Sequence, residues 1–358
     1  MGPVILIGHS DEITGDAKAA SVRTWQFDDK DVTALREAIP GKVFVTCHTG
    51  AAKEANAGKT IVQATGADAD LARIEAHVRL HKMGGKVLDL AMDAHAAERE
   101  GRILMEVFLD DTSPLTSITS SGASTLVLED GTLSTRAVSI HKAGSGHVFV
   151  NVMKEINVQE LFLKLTGTGA ITVLAPRLQA HDLLDASVSG SGRVGLHIPR
   201  IHATNLSCSV TGSGSVLFDA ANLISKDVIS TVVGSGTVRY LHAGIVDRHR
   251  LSVTGSGKIL SSAILASSAH ATVAGSGDVV TQAMDILHGT IAGSGTVQYV
   301  APVPAAVRVD GNLDGKNIRL VQHKDVGGVD APAVPARDTK AGIFFNKSLF
   351  GIRFLVDL

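Results

Sequence analysis

Val210-Thr211-Gly212-Ser213-Gly214-Ser215-Val216 stands in the second half of a 358-residue chain, and it is one copy of a repeat. Its glycine pair recurs as Gly144/Gly146, Gly167/Gly169, Gly190/Gly192, Gly212/Gly214, Gly234/Gly236, Gly255/Gly257, Gly275/Gly277 and Gly293/Gly295, with Ser or Thr between. Successive first glycines are 23, 23, 22, 22, 21, 20 and 18 residues apart. Periods of this size mark a solenoid.

Aligned on the first glycine, the copies form columns. Two residues before it stand Leu165, Val188, Val210, Val232, Val253, Val273 and Ile291, with Lys142 the only break. Four residues after it stand Val148, Ile171, Val194, Val216, Val238, Ile259, Val279 and Val297. Six after it come Val150, Val173, Leu196, Phe218, Tyr240, Ser261, Thr281 and Tyr299, with mixed residues between the columns. A period of two with β-branched residues on one face reads as strand, and the three- and four-residue steps of a helix are missing. Strands of one sense about twenty residues apart must stack in parallel, each coil about 4.8 Å above the last. The fold class expected is therefore all-β, a parallel β-helix (β-solenoid) of 18–23 residues per coil. The handedness rule for parallel crossovers favours the right-handed form.

The sixteen glycines read as repeat corners, where a side chain would obstruct both a sharp bend and the approach of the neighbouring coil. The Ser or Thr between them then forms a hydroxyl ladder. Strict alternation sends the glycines inward and the serine outward, whereas a left-handed glycine would reverse this; the sequence does not choose.

Around this array the chain divides into an N-terminal segment (1–39), a solenoid (40–320, regular repeats 122–312) and a linker with a hydrophobic tail (321–358). Residues 1–28 give no pattern, and residues 28–38 suit one or two helical turns. Strands are expected near 42–46, 60–64, 74–80, 86–90 and 103–109, with a turn at 67–71. Residues 310–312 occupy the corner after Gly293. The falling interval predicts that excursions between strands shorten toward the C-terminus, or that the solenoid tapers. Residues 325–340 are rich in Gly, Ala and Pro and read as a linker. Residues 341–358 hold four of the ten phenylalanines. They suit a cap over an exposed solenoid end, or a contact with a partner, a second copy or a membrane surface.

Composition narrows the function. With 33 basic and 35 acidic residues and no basic run, nucleic-acid binding is not expected. Cys47 and Cys208 cannot make a disulfide framework, and Cys208, four before Gly212, reads as a small buried hydrophobe. No apolar run reaches 18 residues, so no transmembrane helix is encoded. Residues 2–8 are too short, and lack the basic lead, for a signal peptide.

The order of features is specific. Lys42-Val43-Phe44-Val45 is followed by residues 60–74 (TIVQATGADADLARI), Gly85-Lys86-Val87-Leu88-Asp89-Leu90, Met105-Glu106-Val107-Phe108-Leu109, Pro114-Leu115-Thr116-Ser117-Ile118 and then the reiterated Gly-Ser-Gly-x-Val. Over about residues 40–312 this resembles the auto-transporter adhesin head GIN domain family, a domain of unknown function. The resemblance implies a right-handed β-helix-like fold, an extracellular or cell-envelope location and an adhesive role, with no catalytic residue to carry over.

Catalytic and metal readings find little support. Enzymes on β-helices that cut acidic polysaccharides cluster carboxylates and bases on one face, whereas the outward positions here mix Arg193, Lys258, Asp278 and neutral residues. Asp247-Arg248-His249-Arg250 reads as a solvated loop. His77 and His81 lie about 13 Å apart on an extended strand, too far to share an ion. His141 and His147 flank one corner, but no carboxylate or cysteine column joins them. The fifteen histidines read as surface or loop residues. The corner lacks the Lys-Ser/Thr of a phosphate loop and the acidic ligands of calcium repeats. No cofactor or metal is expected. The reading is a non-catalytic surface module, a rigid solenoid presenting a repetitive face to a glycan or protein. The alternative is a polysaccharide-acting enzyme with its site in one inter-strand loop.

Overall fold

The computed structural model describes residues 4–8, 21–29, 31–48, 56–80, 84–92, 103–110, 112, 114–310, 317–322 and 329–337. It is nearly all-β, a β-solenoid of about nine turns built from stacked parallel strands. The chain forms two compact units. One comprises residues 1–134, 146–151 and 333–358; the other comprises 135–145 and 152–332.

The second unit carries the regular repeats. Each coil contributes a long strand that ends at the first glycine and a short strand that follows the second. The long strands Ala137–Gly144, Glu155–Gly167, Arg177–Gly190, Arg200–Gly212, Asn222–Gly234 and Gly244–Gly255 stack in parallel, and the stack continues through Lys258–Gly275 and Asp278–Gly293. Their register is kept glycine on glycine from Gly144 through Gly293. The short strands Ala170–Leu174, Arg193–His197, Ser215–Asp219 and Thr237–Tyr240 stack likewise.

The core is the inward half of this alternation. Across both units, every residue of the column four after the first glycine has no exposed surface, and the aliphatics two before it are at most 3% exposed. Lys142, the break in that column, is also fully buried. Burial of a Val, Leu or Ile contributes about 1.5–3 kcal/mol each, so adhesion between coils comes from these columns.

The falling interval has a local cause. Two or three residues separate the short strand from the next long one in the coils ending at Gly190, Gly212, Gly234 and Gly255. Lys258–Gly275 and Asp278–Gly293 run through that corner as single strands, with the register slipping after Leu260. Up to Gly255 it is the long strand that shortens, from 14 residues to 12, and in the two coils after it the excursion itself disappears.

The first unit mixes both senses of pairing. Leu104–Leu109, Lys42–Cys47, Thr125–Leu128 and His147–Asn151 form a parallel stack. Ser21–Phe27, Thr60–Gly66 and Leu104–Leu109 pair antiparallel, as do Ile74–Leu80 and Lys86–Met92. Residues 32–38 are not helical: Val32–Ala38 is a strand between Lys86–Met92 and Ser117–Ser120. Tertiary pairing overrides the helix-compatible pattern there, and Val32, Ala34 and Leu35 go into the core. Ser21–Phe27 is likewise a strand, and residues 67–71 close into the short helix Asp68–Leu71.

Within the segment read as a linker, residues 329–337 form neither helix nor strand. Arg337 is held by Glu106 (3.0 Å) and Glu129 (2.7 Å), with its guanidinium 5.1 Å from the Phe44 ring centre. The corner expected at residues 311–312, His81, and the hydrophobic tail 341–358 lie outside the described residues.

Candidate functional site

The corner residues sort by face. First glycines from Gly144 to Gly293 hold φ between +94° and +124°, the left-handed side that glycine alone enters without cost. The second glycines Gly146, Gly169, Gly192, Gly214, Gly236, Gly257, Gly277 and Gly295 are buried, and the residue between each pair is exposed. The hydroxyl ladder of Ser145, Thr168, Ser191, Ser213, Ser235, Ser256, Ser276 and Ser294 therefore faces outward, although each first glycine is left-handed.

Coil contact explains the pairing of glycines. A Cβ on Gly214 would lie 2.6 Å from the Gly192 carbonyl oxygen and 2.5 Å from Val188 Cγ1. Gly192 N–H donates to Gly167 O at 3.0 Å, and Gly214 N–H to Gly190 O at 2.9 Å. The corners are thus hydrogen-bonded to one another along the stack.

Two further outward columns run beside this ladder on the long strands of the second unit. Three residues before the first glycine stand Ser187, Ser209, Thr231, Ser252, Thr272 and Thr290, in register on six successive coils. One before it stand Thr166, Ser189, Thr211 and Thr254, with Val233 between the last two. These side chains are exposed or half-buried. The hydroxyls form a grid of about 4.8 Å across strands and about 6.7 Å along them. A hydroxyl both donates and accepts, so the face offers repeated, uncharged hydrogen-bonding positions at fixed spacing.

The histidine and charged motifs fall in several places. Asp247-Arg248-His249-Arg250 is not a loop: it lies within the strand Gly244–Gly255, held by parallel pairing to the coils on both sides, and its alternation is interrupted at Asp247 and Arg248. Asp247, Arg248 and Arg250 face out and His249 faces in. Arg248 clasps Asp227 with two bonds of 2.5 and 2.6 Å, which holds the Asp227 carboxyl below its usual range. His141 touches Thr166 at 3.3 Å, and His147 stacks on Phe149. Asp219 joins His197 (2.9 Å) and His242 (3.0 Å) across three coils. Among the described residues, no group of three or more His, Cys, Asp or Glu is arranged to hold a metal.

Column reading missed a polar network inside the second unit. Cys208 and Ser230 occupy one inward column on adjacent coils, with Tyr240 across from them and His249 on the next coil. Ser230 Oγ lies 2.9 Å from Tyr240 Oη and 3.1 Å from His249 Nε2, and Cys208 Sγ lies 3.4 Å from Ser230 Oγ. Burial pushes the Cys208 thiol up to about 11, raises Tyr240 well above its usual range and drives His249 down to about 3. All are neutral at pH 7 and sealed from solvent, which suits a packed core and not proton transfer to a substrate. The signal was available: three successive coils place the non-aliphatic Cys208, Ser230, Tyr240 and His249 at inward positions.

A groove of about 530 Å³ crosses the later short strands, lined by Leu260, Val280, Gln298, Arg319 and neighbours. Among the described residues, Arg319 is the one titratable residue in its wall. Among the described residues, no helix is long and apolar enough to cross a membrane.

A search of curated proteins finds no match to the chain. Among solved structures, a "putative adhesin" from Parabacteroides merdae is 14% identical, with 85% of this chain and 96% of that one covered at a TM-score of 0.41. A "putative lipid binding protein" from Parabacteroides distasonis is 17% identical, with 84% and 96% covered at a TM-score of 0.42. A family model matches residues 55–243 and 200–301, more than half of the chain. With its Gly-Ser-Gly corners and stacked coils, the chain belongs to the family described as "Putative auto-transporter adhesin, head GIN domain".

Proposed function

We propose that the protein is a non-catalytic adhesion module whose hydroxyl grid holds a glycan along the stack of coils. One observation carries this reading: Ser187, Ser209, Thr231, Ser252, Thr272 and Thr290 stand in register on one outward column, beside the exposed corner serines. A net hydrogen bond contributes about 0.5–1.5 kcal/mol, so no single hydroxyl suffices. A flat array suits a long ligand that meets many at once, and backbone pairing on both sides keeps the array rigid, which lowers the ordering cost of binding. Family membership supports adhesion as the class of activity.

The test is a glycan array probed with the full chain and with Thr211→Glu/Thr231→Glu. Bulky charges at the centre of the grid should weaken a glycan hit at least tenfold, while Arg193→Gln on the short-strand stack should not. A hit indifferent to the grid variant, or binding to proteins alone, would refute the reading.

A further inference from the structure

One column of the long-strand face differs from its hydroxyl neighbours. Arg250, His270, His288 and Arg308 stand in register on four successive strands, so their side chains repeat every 4.8 Å or so over about 14 Å. Arg250, His270 and Arg308 are exposed and His288 is half-buried. His270 meets His288 edge-on with ring centres 4.6 Å apart, and His288 Nε2 lies 2.6 Å from Asp310 Oδ2. The carboxylates facing this column are engaged, Asp310 by His288 and Asp227 by Arg248. Among the described residues, neither Arg250 nor Arg308 has an ion-pair partner. Two guanidiniums thus stand without a direct ion pair at the two ends of a row of imidazole rings. The adjacent outward column supplies Ser252, Thr272 and Thr290.

We propose that this column is an anion-binding stripe that seats a linear carboxylated glycan, of polyuronate type, lying along the coil stack. Arg250 and Arg308 take carboxylates of the glycan, and Ser252, Thr272 and Thr290 take its hydroxyls. Guanidinium–carboxylate bonds are the strong, directional members of such a set, and the coil rise is close to the length of one sugar unit in an extended chain. A nucleic acid fits less well. Its single strands need aromatic platforms for stacking, which these four coils do not offer on this face, and the net charge of the chain is −2. The proposal rests on the glycan reading above and adds the class of sugar.

The experiment measures binding of the full chain to polygalacturonate, to its methyl ester and to duplex DNA. Polygalacturonate should bind at least tenfold more tightly than the uncharged ester, and less tightly as salt rises from about 0.05 to about 0.5 M. Arg250→Gln/Arg308→Gln should lose at least tenfold toward polygalacturonate and keep any affinity for the ester. Arg250→Lys/Arg308→Lys should retain part of the binding, and Arg193→Gln all of it; circular dichroism melts check that each variant is folded. Equal binding of acid and ester would overturn the stripe and leave the glycan reading standing. Failure to bind either polymer would overturn the proposal, and so would binding that the double Gln variant leaves unchanged. DNA binding tighter than polygalacturonate would overturn the choice of partner.

Discussion

Gly190 and Gly214 show what each corner asks of a residue. Gly190 sits at φ +123°, and a Cβ there would lie 2.5 Å from the Gly167 carbonyl oxygen. Replacement by Ala meets a backbone penalty and a clash that only separation of the coils relieves. Each effect is of order 1–3 kcal/mol. Gly190→Ala should therefore lower stability by about 3 kcal/mol in urea unfolding, and Gly214→Ala by a similar amount. Ser213→Ala, exposed between two glycines, should fall within about 0.5 kcal/mol of the parent. His249 sets a pH dependence. Its folded form resists protonation down to about 3, whereas the unfolded imidazole takes a proton near 6.5. The unfolded state thus binds more protons between these values, and stability falls as pH drops through that window, by about 1.4 kcal/mol per unit for this group. His249→Leu should flatten that slope in urea midpoints measured from pH 6.5 to 4, and an unchanged slope would contradict this account.

Among the elements, the 329–337 segment makes the most specific attachment. Arg337 bridges Glu106 and Glu129, and burial raises the Glu106 carboxyl above its usual range even with the guanidinium present. Removing the cation leaves two carboxylates facing each other in a poorly solvated place. Arg337→Ala should cost about 1–2 kcal/mol and open residues 329–337 to limited proteolysis; protection equal to that of the parent would refute the anchoring role. The neighbouring strands teach a related lesson. Val32–Ala38 carries Leu35 and Ala38 at a helical step, yet it pairs on both edges as a strand. A segment of seven residues has little intrinsic helix stability, so the sheet decides.

For the second unit as a whole, stability is close to a sum over coils and their interfaces. Excision of residues 190–211, one full repeat, rejoins Ser189 to a first glycine and restores each column. That variant should fold with a smaller urea m-value, in proportion to the surface lost. Excision of half as many residues reverses inside and outside over the remainder and should abolish cooperative unfolding. Equal tolerance of both deletions would contradict the solenoid account of stability.

Much of this molecule is legible from periodicity alone. The Gly-Ser-Gly interval and the Val, Ile and Leu columns determine a parallel stacked fold, because any register other than glycine on glycine would set side chains against carbonyls and aliphatics against water. The sequence likewise shows Cys208 turned inward. Tertiary structure decided the rest. It turned the corner serines outward and buried only the second glycine of each pair, although each first glycine is left-handed. It sent His249 inward beside Ser230 and Tyr240, and left Arg250 outside in line with His270, His288 and Arg308. Neighbours on different coils are some twenty residues apart in the chain, so which polar residues meet is settled only when the coils are laid on one another.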